Sequence, residues 1–151
     1  DHWFLYGLNA LYRLRQKDIY IDHSMMVSQA IMNVQYGEDH KKKEWVGGIS
    51  GVRKRPKSVP TACLTEGLGQ AYELAHDYGH IDYVNKLEDA IKKGVQFSLQ
   101  MQLRDESVMY YRKKSLCRGA FHNTFSTINL RNDFTQHNIS ACIACYNILN
   151  K

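Results

Sequence analysis

A chain of 151 residues with 44% hydrophobic and 23% charged side chains can build one domain with a real core, and it is too short for two ordinary ones. That balance excludes a disordered chain, and no apolar run approaches the roughly 20 residues needed to cross a bilayer. Lys and Arg exceed Asp and Glu by 20 to 15, for a net charge of +5. The excess is clustered at Lys41, Lys42, Lys43, Arg53, Lys54, Arg55 and Lys57, and again at Arg112, Lys113, Lys114 and Arg118. Such clusters are either solvated loops or a field that draws anionic ligands.

In chain order, the first expected element is a helix over 2–16, apolar nearly all round through Trp3, Phe4, Leu5, Leu8, Leu11, Tyr12 and Leu14. A one-sided helix follows over 19–34, with Val27, Ala30, Ile31 and Val34 facing inward. Residues 35–59 form a long loop containing Gly47, Gly48 and Ile49 and both prolines, Pro56 and Pro60. A second all-round apolar helix spans 61–77. Its one-sided partner over 80–102 carries Val84, Leu87, Ile91 and Val95 on one stripe. A second long loop, 104–133, contains Gly119, Ala120 and Phe121 and leaves room for a short hairpin at most. A third apolar helix closes the chain over 135–149.

The sequence repeats itself. Shifted by sixty positions without gaps, residues 5–34 match 65–94 at Gly7 and Gly67, Leu8 and Leu68, Tyr12 and Tyr72, Leu14 and Leu74, Ile21 and Ile81, Asp22 and Asp82, Ala30 and Ala90, and Ile31 and Ile91. About two such identities are expected by chance. A shift of seventy-four sets Tyr72 on Tyr146 and Leu74 on Ile148. The expectation is an all-α chain of repeated antiparallel helical hairpins, forming a single domain over 1–151 with units of about 1–60, 61–133 and 134–151. Because successive helices alternate in direction, both long loops should emerge at one end, beside the starts of the inner helices.

These features resemble the α/α toroid superfamily, which includes glycoside hydrolases, glucuronyl epimerases, polysaccharide lyases, terpene cyclases and lanthionine cyclases. The resemblance implies a partial α/α toroid, since such toroids close with five to seven hairpins and this chain supplies two and a half. The missing hairpins, or another chain, would then cover its outer apolar surface. The chain starts at Asp1 rather than Met, and its compartment is left open.

In that architecture the starts of the inner helices and the long loops line the mouth. Glu66, on an otherwise apolar helix, and His137 are the candidate acid–base groups, with Asp133 as a further carboxylate. Glu66 is otherwise a carboxylate favoured by the helix dipole. Asp133 with Gln136 also fits a capping box, Asp133 being the cap. Trp3, Tyr6, Trp45, Phe121 and His122 supply aromatic surface and Arg53, Arg55, Arg131 and Gln136 polar contacts for an acidic oligosaccharide or another anionic ligand. Hydrolase, epimerase and lyase chemistry all stay open. So does a non-catalytic module that binds a protein or a polyanion. Nucleic acid has no recognised motif to support it.

No cofactor and no metal are expected. Cys63 and Cys117 stand isolated in sequence, and Cys142-x-x-Cys145 lacks a second ligand pair, so it reads as small buried residues.

Overall fold

The computed structural model describes residues 2–50 and 54–151. It is mostly helical: α1 (His2–Arg15), α2 (Asp18–Met32), α3 (Ser58–Asp77), α4 (Ile81–Leu99), two single turns α5 (Asp105–Val108) and α6 (Lys114–Cys117), and α7 (Asn132–Leu149). A two-stranded hairpin, β1 (His122–Thr124) with β2 (Thr127–Leu130), sits in the second long loop. No helix among the described residues is long and apolar enough to cross a membrane.

The five long helices fall where the apolar patterning places them, with shifted ends. α3 begins at Ser58 rather than at 61. Pro60 lies within its first turn, where the missing N–H costs nothing because no intrahelical partner exists for it. α7 begins at Asn132, with Arg131 as its cap residue.

α3 is the centre. Its buried face runs all round the helix, through Ala62, Thr65, Glu66, Leu68, Ala71, Tyr72, Leu74 and Ala75. It packs on α1, α4 and α7. Glycines set how close those helices come. A β-carbon on Gly67 would lie 2.9 Å from His2 Cβ in α1, and one on Gly69 would lie 2.8 Å from Ala144 Cβ in α7. Across the α3–α4 contact, a β-carbon on Gly94 would run into Thr65 Oγ1.

Paired contacts give the directions. Tyr6 meets Glu66, Asn9 meets Gln70 and Arg13 meets Asp77, so α1 and α3 run parallel. His137 meets Glu66, Ala144 meets Gly69 and Lys151 lies over Tyr72, so α7 also runs parallel to α3. The starts of all three therefore lie at one end.

The outer apolar surface expected to exceed what two and a half hairpins can cover is present: Phe4, Leu11 and Leu14 on α1, and Ile139, Ile143, Tyr146 and Leu149 on α7, are exposed. α3 lies between these two helices, and each of them leaves one face uncovered among the described residues.

The two long loops share a base. Gly47 and Gly119 both have positive φ, 83° and 84°, a conformation glycine adopts without steric cost. The Gly47 N–H bonds the Tyr36 carbonyl and the Tyr36 N–H the Gly48 carbonyl. Gly119 and Ala120 make the same pair of bonds with Leu103. Ile49 and Phe121 then turn inward, 1% and 2% exposed, and their N–H groups donate to Thr61 and Thr135 at the starts of α3 and α7.

Candidate functional site

The α-helix advances about 100° per residue. Glu66 therefore lies on the arc between Gly67, which faces α1, and Gly69, which faces α7. Its carboxylate projects into the seam where both neighbours flank α3. Glu66 is 6% exposed, and a carboxylate so far from water demands partners. It has two. The Tyr6 hydroxyl donates to Oε1 at 2.9 Å, and His137 Nδ1 lies 2.9 Å from Oε2. An ionised carboxylate only accepts, so His137 carries its proton on Nδ1 towards Glu66, and in the neutral ring Nε2 holds the lone pair.

Two more residues of α1 complete the group. The His2 ring stands edge-on to His137, with centroids 5.3 Å apart. Trp3 lies against His2, Tyr6 and His137 and is 56% exposed, a flat apolar face open to solvent. Cys63, one turn before Glu66 on α3, closes the set. A nitrogen of His2, the Cys63 sulfur and a nitrogen of His137 all lie within 4.8 Å of one another.

The surroundings change the acidities. Burial, then the hydrogen bond to Glu66 and its charge, push the Tyr6 phenol well above its ordinary range. Burial lowers His2, with Glu66 opposing and His137 reinforcing. The Cys63 thiol is pushed up to about 11 by burial and by the nearby Glu66 carboxylate. Tyr6 is thus a proton donor in this group rather than a base.

The other expected site residues lie apart from it. Asp133 does not cap α7. It sits inside the first turn, and the Arg131 guanidinium grips it at 3.0 Å through two nitrogens while lying over the Phe134 ring. The helix starts before Asp133, so the capping-box expectation for Asp133 and Gln136 is corrected. Arg131 and Gln136 instead line a groove of about 670 Å³ with Arg118, Asn132 and Ile139. Glu66, Tyr6 and His137 do not line that groove. Phe121 is a correction too: as the buried plug of the second loop it offers no surface to a ligand.

His122 folds onto its own hairpin, with Nδ1 2.6 Å from the Thr124 carbonyl, and its backbone oxygen accepts from Ser58 at the start of α3. Trp45 stacks on His40, with centroids 5.3 Å apart, under the Lys42 ammonium. Arg55 is exposed and lies over Phe125 at the hairpin tip, which joins the two loops. Arg53 lies outside the described residues.

Sequence reasoning placed His2 at the mouth with His137 but missed Cys63 as their partner. A signal was present: Cys63 and His137 stand seventy-four positions apart, the offset that pairs Tyr72 with Tyr146. Position 62, beside Cys63, is sixty positions after His2. No family model, curated protein or solved structure matches this chain.

Proposed function

We propose that this chain is carbohydrate-active, or is the part of such a protein that carries the site, and that it binds or processes an acidic oligosaccharide at the loop end of a partial α/α toroid. The observation that carries the reading is the Glu66 carboxylate held between Tyr6 and His137 beside the exposed Trp3. Buried carboxylate–imidazole pairs of this kind hold a ring in one tautomer and stabilise its protonated form, which is what proton transfer at a sugar carbon or glycosidic oxygen requires. Glu66 orients, His137 Nε2 takes or gives the proton, Tyr6 donates, and Trp3 offers a stacking platform for a sugar face. Arg118 and Arg131 line the neighbouring groove, each beside a carboxylate, Asp105 and Asp133, that an anionic ligand would have to displace.

The toroid reading rests on the parallel inner helices α1, α3 and α7 and on the matching loop bases. The uncovered apolar faces of α1 and α7 suit further hairpins or another chain. Those same faces favour the alternative, a non-catalytic helical-repeat module that binds a protein.

The test is calorimetric titration of uronic-acid oligosaccharides into the chain at low and high salt. Binding that weakens with salt and is lost in Trp3→Ala supports the reading. In a turnover assay on the oligosaccharide that binds, Glu66→Gln should abolish activity with fold and affinity retained. Failure of every acidic oligosaccharide to bind removes it, and capture of a protein partner through Ile143 and Tyr146 would put the alternative in its place.

A further inference from the structure

We propose that His2, Cys63 and His137 bind a zinc ion at the seam where α1 and α7 meet against α3.

The donor set suits zinc. Two imidazole nitrogens and one thiolate are the ligand types zinc prefers, and three protein ligands leave a fourth tetrahedral position open. The three donor atoms already lie within 4.8 Å of one another, although they come from three separate helices. Bonds of about 2.0 Å to nitrogen and 2.3 Å to sulfur place two nitrogens and a sulfur roughly 3.3–3.5 Å apart in a tetrahedral site. Closing on an ion therefore takes side-chain movement of about an ångström. The two imidazoles, edge to face at 86°, can aim at a common point without stacking on each other.

A supporting shell stands behind the ligands. Zinc-binding histidines regularly donate their other ring nitrogen to a carboxylate, which fixes the tautomer and strengthens the ligand. His137 does this already: Nδ1 is engaged by Glu66 at 2.9 Å, so Nε2 is the nitrogen left for a metal. Tyr6 in turn holds the far oxygen of Glu66. Charge closes as well, since a dication is balanced by one thiolate and the Glu66 carboxylate.

Backbone packing fixes the approach. Gly67 lets His2 sit against α3, and a β-carbon there would lie 2.9 Å from His2 Cβ. Cys63 and Glu66 are three apart on α3, so ligand and supporting carboxylate share one face.

The inference goes beyond the reading of an acidic sugar ligand and does not depend on it. With zinc bound, His137 Nε2 is a ligand and no longer the proton-transfer group, and the open position takes a water or an anionic oxygen.

Metal binding is measured without any sugar. The full chain, stripped with chelator, is titrated with ZnCl₂ by calorimetry and with CoCl₂ by absorption spectroscopy. One ion per chain is expected, with a thiolate-to-cobalt charge-transfer band that is lost in Cys63→Ser. Glu66→Gln should lower zinc affinity by roughly 10- to 100-fold. The double variant Cys142→Ser/Cys145→Ser should bind as the parent does. X-ray absorption at the zinc edge of the unaltered chain needs no variant to fold, and it should read one sulfur near 2.3 Å with nitrogens near 2.0 Å. Lack of stoichiometric binding, a two-sulfur shell, or a charge-transfer band that survives Cys63→Ser would overturn the proposal. None of these results bears on whether an acidic oligosaccharide binds.

Discussion

The Tyr6 hydroxyl donates to Glu66 Oε1 across sixty positions of sequence, the same interval at which the chain repeats itself. Positions sixty apart on the parallel helices α1 and α3 thus face each other, one as donor and the other as acceptor. Tyr6→Phe removes the donor and leaves a nearly buried carboxylate oxygen unpaired. It should cost about 1–2 kcal/mol, read from urea unfolding with unchanged helicity. A midpoint equal to the parent's would mean that water replaces the hydroxyl.

Three glycines should respond to alanine with opposite signs. Gly67→Ala and Gly69→Ala push a β-carbon against His2 and Ala144. The nearest contact atoms are the Cα and Cβ of His2 and the Cβ of Ala144, side-chain roots with little room to yield. Overpacking of about 1–3 kcal/mol should outweigh the gain in helix propensity of about 1 kcal/mol. A β-carbon on Gly7 in α1 meets nothing within 4 Å. Gly7→Ala should therefore stabilise by up to about 1 kcal/mol. Thermal unfolding of the three variants side by side decides the matter.

Asp77 gives a pH signature. Its hydrogen bond to Arg13 holds the carboxyl below its ordinary value of 3.8. The folded pKa is depressed, so the pair's contribution is full above 3.8 and is lost as the pH falls through the lower folded value. Both side chains are about 40% exposed, which keeps the effect within the roughly 0.2–1 kcal/mol of surface pairs. Asp77→Asn should lower stability near neutrality and flatten the acid limb of the stability curve. Parallel curves for the two proteins down to pH 2 would exclude this account.

The uncovered stripe Ile139, Ile143, Tyr146 and Leu149 on α7 should make the isolated chain associate in a concentration-dependent way. Ile143→Glu should suppress this in sedimentation velocity without loss of helix. A monodisperse monomer at high concentration would show that the stripe is tolerated in water.

The helices were legible because their apolar patterning is strong and the chain writes it twice. Their parallel neighbourhood followed from the repeat, and with it the proximity of Glu66 and His137. Less was legible where one residue type suits two environments. Phe121 reads as an aromatic platform until the loop base turns it inward. Asp133 reads as a cap until its helix opens at Asn132 and Arg131 claims it. Cys63 looked solitary because its companions come from α1 and α7, and only the close approach permitted by Gly67 and Gly69 gathers them.

The shared loop base has a consequence for how variable the chain can be. In the first loop the bonds of Tyr36 with Gly47 and Gly48 pin both ends of the excursion 37–46. In the second, the bonds of Leu103 with Gly119 and Ala120 pin the longer excursion 104–118. The same knot thus carries two insertions of different length. With the ends already tied, lengthening an excursion costs only the slow logarithmic entropy of a longer tether, about 0.6 kcal/mol for each doubling. The knots behave as sockets: what is plugged into them can be exchanged or grown while the helices beneath keep their register.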